Sequence, residues 1–554
     1  MSTNKQSVIA IGLDAADPVQ VSNWMKDGKL PNLSALCDAG GYGNIDNIGY
    51  YKAETPWTTF LTGCLPSTTK YWTPIKYCEG SYDVKEVDAY DFNPHPPFYA
   101  LGSEHRVAIF DVPQTTLSED VNGKQVLAWG AHSPQTPSHS LPNGLLNEIN
   151  QEFGEHPALH KDHGDWWNKD YLHFLHDATL TGIKRRTQII LDWIKKDEWD
   201  LLLTIYGETH SAGHDFWHLS DPSSPLHEFE KEAGFDCDPL LEVFQGVDKA
   251  VGDIAAAAPA DAHIVVFSVH GSGNNVTDVP SMLLLPELMY RYSFPGYTQM
   301  APGVAGTPVS SQLKPKGGNW QWHSYTKRHE NIAWTRWVRS ILPGRIYNKI
   351  AHYLPRHPLD IRSIIETRNA GDAPEWQPCM WYKHLWPQMK AFAIPSFSEG
   401  YIRLNLEGRE PEGIVASEDY DAVCDELEKM MLELVNPRTG RPLVKKVVKT
   451  RAQDASLDAS SAGADLVVVW SDDEPADTVD HPELGRIGPV PYRRSGSHRA
   501  RGFWAAKGPK ITAGCNLPDG HAIDLAPTLL ELMGASPKTQ MDGNSLLDAF
   551  TKAG

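Results

Sequence analysis

The stretch Val8-Ile9-Ala10-Ile11-Gly12-Leu13-Asp14 decides the predicted fold, because an unbroken apolar run ends abruptly at a carboxylate. Similar apolar runs recur at 107–110, 201–205, 264–268 and 466–470, each followed within two residues by Gly, Asp or His. Short apolar runs bounded in this way are typical of strands that are buried on both faces. Because long helix-like segments separate them, we predict an α/β fold with a mostly parallel central sheet flanked by helices.

Composition and charge indicate an ordinary globular chain. Its 554 residues exceed the ~100–200 of a typical domain, so we expect a large core with insertions, or about two or three domains. The formal net charge of −20 disfavours a nucleic-acid polymer as partner, because phosphates are repelled by an acidic surface. We expect a small-molecule substrate, and the oligomeric state stays open.

Cysteine usage and hydropathy bear on the cellular compartment. The seven cysteines are scattered and form no CxxC pair, which is typical of reduced thiols. The apolar run at 8–13 is too short for a signal peptide, and no later run reaches the ~18 residues of a membrane span. We therefore predict a cytoplasmic protein with no membrane partner.

The middle of the chain departs from the pattern of alternating strands and helices. Residues 286–392 are rich in Trp, Tyr, Pro and Arg and have few strand signals, as in 332–358 (IAWTRWVRSILPGRIYNKIAHYLPRHP). We predict an α/β core at 1–285, an inserted, mostly helical and aromatic-rich cap at 286–392, and the rest of the core at 393–554. Such an insertion either shapes a substrate pocket or packs only on itself, and the sequence leaves both possibilities open.

The sharpest local signal is a histidine pair directly after the run at 201–205. The segment 208–218 (ETHSAGHDFWH) places His210 and His214 four residues apart, with His218 at the same spacing again. Positions i and i+4 share one face of a helix, so two such imidazoles can grip one metal ion, as in the HExxH helix of zinc proteases. The alternative is a set of surface or structurally satisfied histidines. Their position after a buried strand favours the metal, with His218 as a neighbour.

Polar residues follow three of the predicted strands. Asp14 follows the first, Glu208 and His210 follow that at 201–205, and His270 follows that at 264–268. In open parallel sheets, functional groups gather beyond the carboxyl ends of the strands. We therefore expect these widely separated residues to converge there.

A basic patch interrupts the otherwise acidic sequence near residue 498. His498 is followed by Arg499 and Arg501 and preceded by Arg493 and Arg494. Such a patch suits an anionic group of a substrate, with Arg494 and Arg499 as candidate contacts. A solvated basic loop is the alternative.

Several motifs occur in the order that one enzyme family shows. They are 11–14 (IGLD), 30–33 (LPNL), 57–63 (WTTFLTG), 270–273 (HGSG), 401–415 (YIRLNLEGREPEGIV), 497–502 (SHRARG), 524–528 (DLAPT) and 541–543 (MDG). On these motifs the chain resembles the alkaline phosphatase superfamily, and within it the type I phosphodiesterase/nucleotide pyrophosphatase branch. The resemblance implies an enzyme in which two metal ions clamp a phosphoryl or similar oxyanion while a threonine or serine attacks it.

This chain departs from the family in the ligands of one of the two metal ions. The resemblance implies that an Asp and two His hold this ion, and the matching positions are His210, His214 and His498. Three histidines with an open fourth position are a common way to hold catalytic zinc. Zinc is therefore the expected ion, with iron, manganese or cobalt as alternatives.

At the site of the other metal ion, two of the four side chains that the resemblance implies are missing. Asp14 and His270 remain as possible ligands, but Val269 stands where the resemblance implies an aspartate, and Ala53 stands where it implies the nucleophile. Two ligands hold an ion weakly, so we predict one tight ion. A two-residue slip of the alignment would instead make Thr55 the nucleophile, and Glu54 could act as a base or a replacement ligand.

Three functions are compatible with these residues. The first is hydrolysis or group transfer on a small phosphate, phosphonate or sulfate ester by metal-activated water, with Glu54, Glu208 or His270 as the base. The second is a lyase, cyclase or isomerase of a biosynthetic pathway that uses the metal as a Lewis acid. The third is a catalytically silent binding protein, which the retention of three good ligands argues against.

Overall fold

The apolar runs of the sequence form strands, beginning with Val8–Leu13. The computed structural model describes residues 6–87, 89–130, 136–343, 346–347, 350, 353–451 and 458–547. Its strands are β1 (Val8–Leu13), β2 (Gly41–Asp46), β3 (Ile75–Tyr77), β4 (Val84–Glu86), β5 (Gly102–Phe110), β6 (Val121–Leu127), β7 (His139–Leu141), β8 (Leu201–Tyr206), β9 (His263–Ser268), β10 (Gly271–Asn274), β11 (Pro302–Gly303), β12 (Ala391–Ile394), β13 (Gly400–Leu404), β14 (Val435–Asn436), β15 (Arg441–Pro442), β16 (Val444–Lys449), β17 (Leu466–Trp470), β18 (Val479–His481), β19 (Gly485–Ile487), β20 (Gly496–Arg499), β21 (Gly502–Lys507), β22 (Cys515–Asn516) and β23 (Gly520–His521).

The segments between the strands form helices, several of which begin at a capping side chain. Asp17, Asn168 and Asp238 each accept a hydrogen bond from a first-turn amide, which satisfies a donor that the helix leaves unpaired. The α-helices are α1 (Pro18–Lys26), α2 (Pro31–Ala39), α3 (Pro56–Thr62), α4 (Pro66–Thr69), α5 (Leu145–Phe153), α6 (Lys169–Lys196), α7 (Glu208–Ser220), α8 (Glu230–Ala233), α9 (Pro239–Ala257), α10 (Leu285–Ser293), α11 (Trp320–Tyr325), α12 (Ala333–Ile341), α13 (Ile364–Asn369), α14 (Tyr420–Leu432) and α15 (Ala522–Met533).

The central sheet belongs to the first of two packing units, which contains the described residues of Met1–Pro74, Val87–Asn274 and Arg494–Gly554. Its strand order is β22-β2-β21-β9-β1-β8-β5-β6-β7, and β23 also pairs with β2. Five adjacent strands are parallel, in the order β9, β1, β8, β5 and β6. At either end of this group the next strand is antiparallel: β21 beside β9, and β7 beside β6. The prediction of an α/β fold with a mostly parallel sheet is thus confirmed.

Both faces of this sheet are buried against helices. In β1, Ile9, Ile11 and Leu13 face a core formed with α6, α7 and α9, while Val8 and Ala10 face a core formed with α3 and α15. Successive side chains of a strand point to opposite faces, so a run that is apolar throughout belongs between two helical layers. This explains why the strand signals were continuous and not alternating.

The second unit contains the described residues of Ile75–Glu86 and Asn275–Arg493. It holds a four-stranded antiparallel sheet (β12-β13-β17-β16), a five-stranded sheet (β11-β19-β18-β14-β15) and the β3-β4 hairpin. Helices α10 to α14 lie in this unit. Between residues 286 and 392, where a mostly helical cap was predicted, the described elements are mainly helices.

One predicted strand lies in a different sheet from the one expected. The expectation that 466–470 belongs to the central parallel sheet is wrong, because β17 pairs antiparallel with β13 and β16 in the second unit. A fully buried strand gives the same apolar run in either kind of sheet. By packing, the second unit also extends well past the predicted boundary at 393, since β12 and β13 already pair across residues 391–404.

All seven cysteines are free thiols. Among the described residues, no helix combines the length and apolarity that crossing a membrane requires.

Candidate metal centre

Three neighbouring parallel strands deliver polar side chains to one edge of the sheet. In the register of β1, Leu13 lies beside Tyr206 of β8, and Gly12 lies beside Phe267 of β9. Asp14, the first turn of α7 and His270 follow these strands directly. Asp14 therefore lies between α7 and His270, with Oδ2 2.9 Å from His210 Nδ1 and Oδ1 3.2 Å from His270 Nε2.

Helix α7 places His210 and His214 on one face, as their spacing predicted. Their Nε2 atoms are 2.8 Å apart, and both side chains are buried. The other ring nitrogens are already engaged, because His214 Nδ1 donates to the Gly496 carbonyl at 2.8 Å and His210 Nδ1 faces the Asp14 carboxylate. His218, one turn further along, is buried against Trp166.

His498 reaches the cluster from a two-stranded ribbon formed by β10 and β20. Its ring centroid lies 4.7 Å from that of His210 and 4.8 Å from those of His214 and His270. The ribbon can approach α7 only because of glycines at the crossing. A Cβ on Gly496 would lie 2.0 Å from the Gly213 carbonyl oxygen, and one on Gly213 would lie 2.9 Å from Ser272 Oγ. The glycine inside HSAGH is therefore part of how the ligands are assembled.

The Asp14 carboxylate contacts three side chains around the cluster. Besides the two histidines, it accepts a hydrogen bond on Oδ1 from the indole Nε1 of Trp57 at 3.1 Å. Burial alone would raise the pKa of Asp14, but the charges and hydrogen bonds of His210 and His270 hold that pKa well below its ordinary value. Asp14 is therefore a carboxylate that fixes the orientation of two rings. Sequence reasoning missed Trp57, because no local pattern links it to a residue 43 positions away.

The donor chemistry of the cluster fits a metal ion. A carboxylate and a carbonyl only accept hydrogen bonds, so His210 and His214 each donate from Nδ1, and in the neutral form of each ring the lone pair lies on Nε2 and faces the other ring. Two neutral rings in this arrangement direct their lone pairs at one another across 2.8 Å, which is how two imidazoles present ligand atoms to one metal ion. Ligand atoms of His210, His214 and His498 lie within 4.8 Å of one another, as do those of Asp14, His210 and His270.

Glu208, a predicted base, is held elsewhere. Its Oε1 lies 3.2 Å from both Arg186 Nε and His156 Nε2, and Arg186 also binds Asp111 at 2.7 Å. Burial favours the neutral acid, yet Arg186 and His156 keep the pKa of Glu208 below its ordinary value. The structure therefore places Glu208 in a buried ionic network that anchors the start of α7, and not among the metal-ligand groups.

The segment that contains the implied nucleophile position lies just before α3. The Ala53 amide donates to Glu54 Oε2 at 3.1 Å, and its carbonyl accepts from Gln114 at 3.3 Å. The Thr55 hydroxyl, the alternative nucleophile, donates to the Tyr51 carbonyl at 3.1 Å. Glu54 is fully buried. Trp57, two residues after Thr55, donates a hydrogen bond to Asp14. This segment therefore borders the histidine cluster.

The two predicted substrate arginines make contacts of different kinds near the histidines. Side chains alternate along β20, so Arg499 points away from His498, and its Nη2 donates to the Asn274 carbonyl at 2.8 Å. Arg494 is buried beside α7, where its charge partly offsets the burial and the Asp162 charge that raise the pKa of Asp215 to about 7. Arg494 and Arg499 therefore stay predictions as substrate contacts.

Fold and cluster together define an α/β protein with a potential metal centre at the carboxyl ends of its parallel strands. The family model of type I phosphodiesterases/nucleotide pyrophosphatases matches residues 8–284, which is half of the chain. The chain belongs to this family, as its motifs predicted, and is therefore an enzyme of a metal-dependent family.

The solved structures that match this chain over most of its length differ strongly from it in sequence. Phosphonoacetate hydrolase from Sinorhizobium meliloti, in complex with phosphonoformate, is 11% identical, with 96% of each chain covered and a TM-score of 0.45. Ectonucleotide pyrophosphatase/phosphodiesterase 5 is 12% identical with 97% of each chain covered, at TM-scores of 0.46 for the murine and 0.47 for the human protein. A comparison with curated proteins gave no match.

Proposed function

We propose that this enzyme hydrolyses, or transfers a group from, a small anionic phosphate, phosphonate or sulfate ester. In this proposal a single divalent ion is held by His210, His214 and His498. Zinc is the first choice because three neutral imidazoles suit it, and iron, manganese and cobalt are the alternatives. Family membership supports the chemistry of phosphoesters.

One observation carries the proposal: the Nε2 atoms of His210 and His214 meet at 2.8 Å while the opposite nitrogens of both rings are occupied. Histidines that serve only structure would instead pair a donor with an acceptor. Metal-ligating histidines typically donate their other ring N–H to a carboxylate or a backbone carbonyl, which is the arrangement at Asp14 and Gly496.

The residues around the three ligands have separable tasks. Asp14 orients His210 and also meets His270, so His270 is placed to move a proton beside the site. A bound divalent ion would supply Lewis acidity and lower the pKa of water toward ~7. Glu54 is a further candidate base, because the segment that carries it borders the cluster.

Metal stoichiometry tests this proposal directly. We expect elemental mass spectrometry of the purified protein to find one ion per chain, and His214→Ala to lose most of it together with hydrolysis of bis(4-nitrophenyl) phosphate. His227→Ala removes a half-buried histidine outside the cluster and is the matched control. Two ions per chain would contradict the single-ion proposal, and the absence of any ion would favour a binding protein.

A non-hydrolytic lyase, cyclase or isomerase is the second candidate. It is favoured by Ala53, which has no hydroxyl, and by Thr55, whose hydroxyl is engaged by Tyr51. Turnover in ¹⁸O-labelled water identifies hydrolysis, because among these reactions only hydrolysis places the label in a product. Restoring a hydroxyl with Ala53→Thr should raise diester hydrolysis if Ala53 occupies the nucleophile position, whereas Ala53→Val should not.

A cytoplasmic location and a small anionic substrate remain part of this proposal. The seven free cysteines support a reducing compartment. The net charge of −20 supports a small substrate over a nucleic-acid polymer, because a long polyanion meets the repulsion of the whole surface.

A further inference from the structure

Exposed apolar side chains concentrate in one part of the second unit. Of the thirteen large hydrophobic residues that are exposed among the described residues, six lie between positions 314 and 356. Trp334 is 55% exposed, Trp337 is 52% exposed and Tyr353 is 80% exposed. An exposed apolar patch of this kind usually marks an interaction surface.

Helix α12 gives this patch its geometry. Thr335 and Val338 face inward and are buried, whereas Trp334, Trp337 and Ile341 are exposed on the outer side at positions i, i+3 and i+7. The two indoles stack on each other with centroids 5.1 Å apart. The helix thus has a buried inner side and, in addition, an apolar outer side of Trp334, Trp337 and Ile341 that is exposed to solvent.

The same segment has the opposite charge from the rest of the chain. Residues 314–356 contain nine lysines and arginines against one acidic residue, Glu330, in a protein whose net charge is −20. Glu330 Oε1 already contacts two guanidiniums, Arg328 at 3.1 Å and Arg339 at 2.8 Å. Glu366, outside the segment, pairs with Arg356. The described part of the segment holds seven lysines and arginines, so positive charges still outnumber the carboxylates that contact them.

We propose that this Trp-rich basic segment docks the protein peripherally on an anionic phospholipid surface. Tryptophan prefers the boundary between headgroups and acyl chains, and lysine and arginine are attracted to anionic lipids. An amphipathic helix with both features lies in the plane of such an interface. This differs from the expectation, drawn from the lack of a spanning segment, that the protein has no membrane partner.

Charge and residue type favour lipid over other occupants. A single-stranded nucleic acid would also meet the basic charge, but it needs open aromatic faces for its bases. Here the two indoles stack on each other, and the remaining exposed residues include Ile341 and Ile346, which suit acyl chains. A symmetric contact with a second copy would place the same excess of positive charge against itself. The inference is independent of the proposed function.

Co-sedimentation of the full chain with vesicles tests the docking surface. We expect binding to phosphatidylcholine vesicles that contain phosphatidylserine, and much weaker binding to phosphatidylcholine alone or at high salt. Trp334→Ser/Trp337→Ser should lower the partition coefficient by about tenfold or more. Ile414→Ser/Leu432→Ser removes two exposed apolar residues elsewhere and should leave it unchanged.

A charge variant tests the electrostatic part separately. Lys316→Glu/Lys327→Glu should lower the partition coefficient by about tenfold or more, whereas Lys26→Glu/Lys231→Glu, an equal charge change elsewhere, should have little effect. All four pairs are exposed, so the circular dichroism spectrum should be unchanged. The proposal is overturned if the protein ignores anionic vesicles, if both control pairs weaken binding equally, or if Trp334 and Trp337 mediate only binding of oligonucleotides or self-association.

Discussion

Trp57 is the residue whose role in the site is least visible in the sequence. Its indole donates to Asp14 Oδ1, and Asp14 in turn orients His210 and His270. Replacing Trp57 by Phe keeps most of the buried ring and removes only the hydrogen bond. We expect metal affinity to fall by up to about tenfold, the lower end of the 10- to 100-fold loss that is usual for a direct partner of a ligand, as measured by competition with a chelator.

Trp217→Phe is the matched control for this prediction, because Trp217 makes a similar bond to Asp221 at 3.0 Å without contacting Asp14. Unchanged affinity in Trp57→Phe, or an equal loss in Trp217→Phe, would show that the indole only fills space.

Residue-level prediction succeeded where a rule of spacing applied. The pair His210 and His214 follows from helical periodicity, which depends on four consecutive peptide units. The pairing of Glu208 with Arg186 and the outward direction of Arg499 depend on packing and strand phase. These are properties of neighbours distant in sequence, and no local rule contains them.

At the scale of elements, the crossing of α7 by β20 positions both His214 and His498. A side chain at Gly496 would collide with the backbone oxygen of Gly213, which cannot move without displacing the helix. We expect Gly496→Ala to lower the free energy of unfolding by about 2–4 kcal/mol and to abolish tight metal binding. Denaturant titration and metal analysis of the same sample measure both effects.

Gly246→Ala in α9 controls for the substitution itself, since a Cβ there would make only ordinary contacts, at 3.5 Å, with Leu180 and Ile183 of α6. We expect it to be neutral or stabilising by about 0.5–1 kcal/mol. Normal metal content in Gly496→Ala would refute the importance of the crossing.

The start of β9 predicts a pH effect on stability. Burial, reinforced by Lys510, lowers the pKa of His263 to about 4 from an ordinary value of 6.5. The unfolded chain therefore takes up this proton first, so the contribution is full above about pH 6.5 and is lost as pH falls toward 4. We expect about 2 kcal/mol from this residue, measured by urea unfolding across that range.

His263→Gln, which cannot be protonated in this range, should flatten that part of the pH profile. An equally steep profile in the variant would assign the loss to other groups, among them His384, whose pKa burial also lowers to about 4.

Elements were predictable where hydrophobicity alone defines them. The runs at 8–13, 201–205 and 264–268 became β1, β8 and β9 with bounds shifted by at most one residue. The assignment of β17 to a sheet failed, because burial on both faces does not reveal which neighbour a strand will pair with.

At the scale of the whole molecule, a bound ion should stabilise the native state in proportion to its affinity. An ion that binds only the folded chain at about 100 times its Kd adds roughly 2.7 kcal/mol. We expect exhaustive chelation to lower the midpoint of thermal unfolding by several degrees, and zinc to restore it.

His214→Ala should show no such response to chelation, since its ligand set is incomplete. An equal downward shift in that variant would mean that the ion stabilises another part of the chain.

The order of the central sheet has a consequence for synthesis in the cell. Strand β21 lies between β2 and β9, and Arg501, just before it, follows its ionic partner Asp46 by 455 positions. On the ribosome, β2 and β9 must therefore wait with unpaired edges while more than two hundred intervening residues emerge. Waiting edges invite aggregation and chaperone capture. Since His498 arrives with the same late segment, prematurely terminated chains should be metal-free targets for proteolysis.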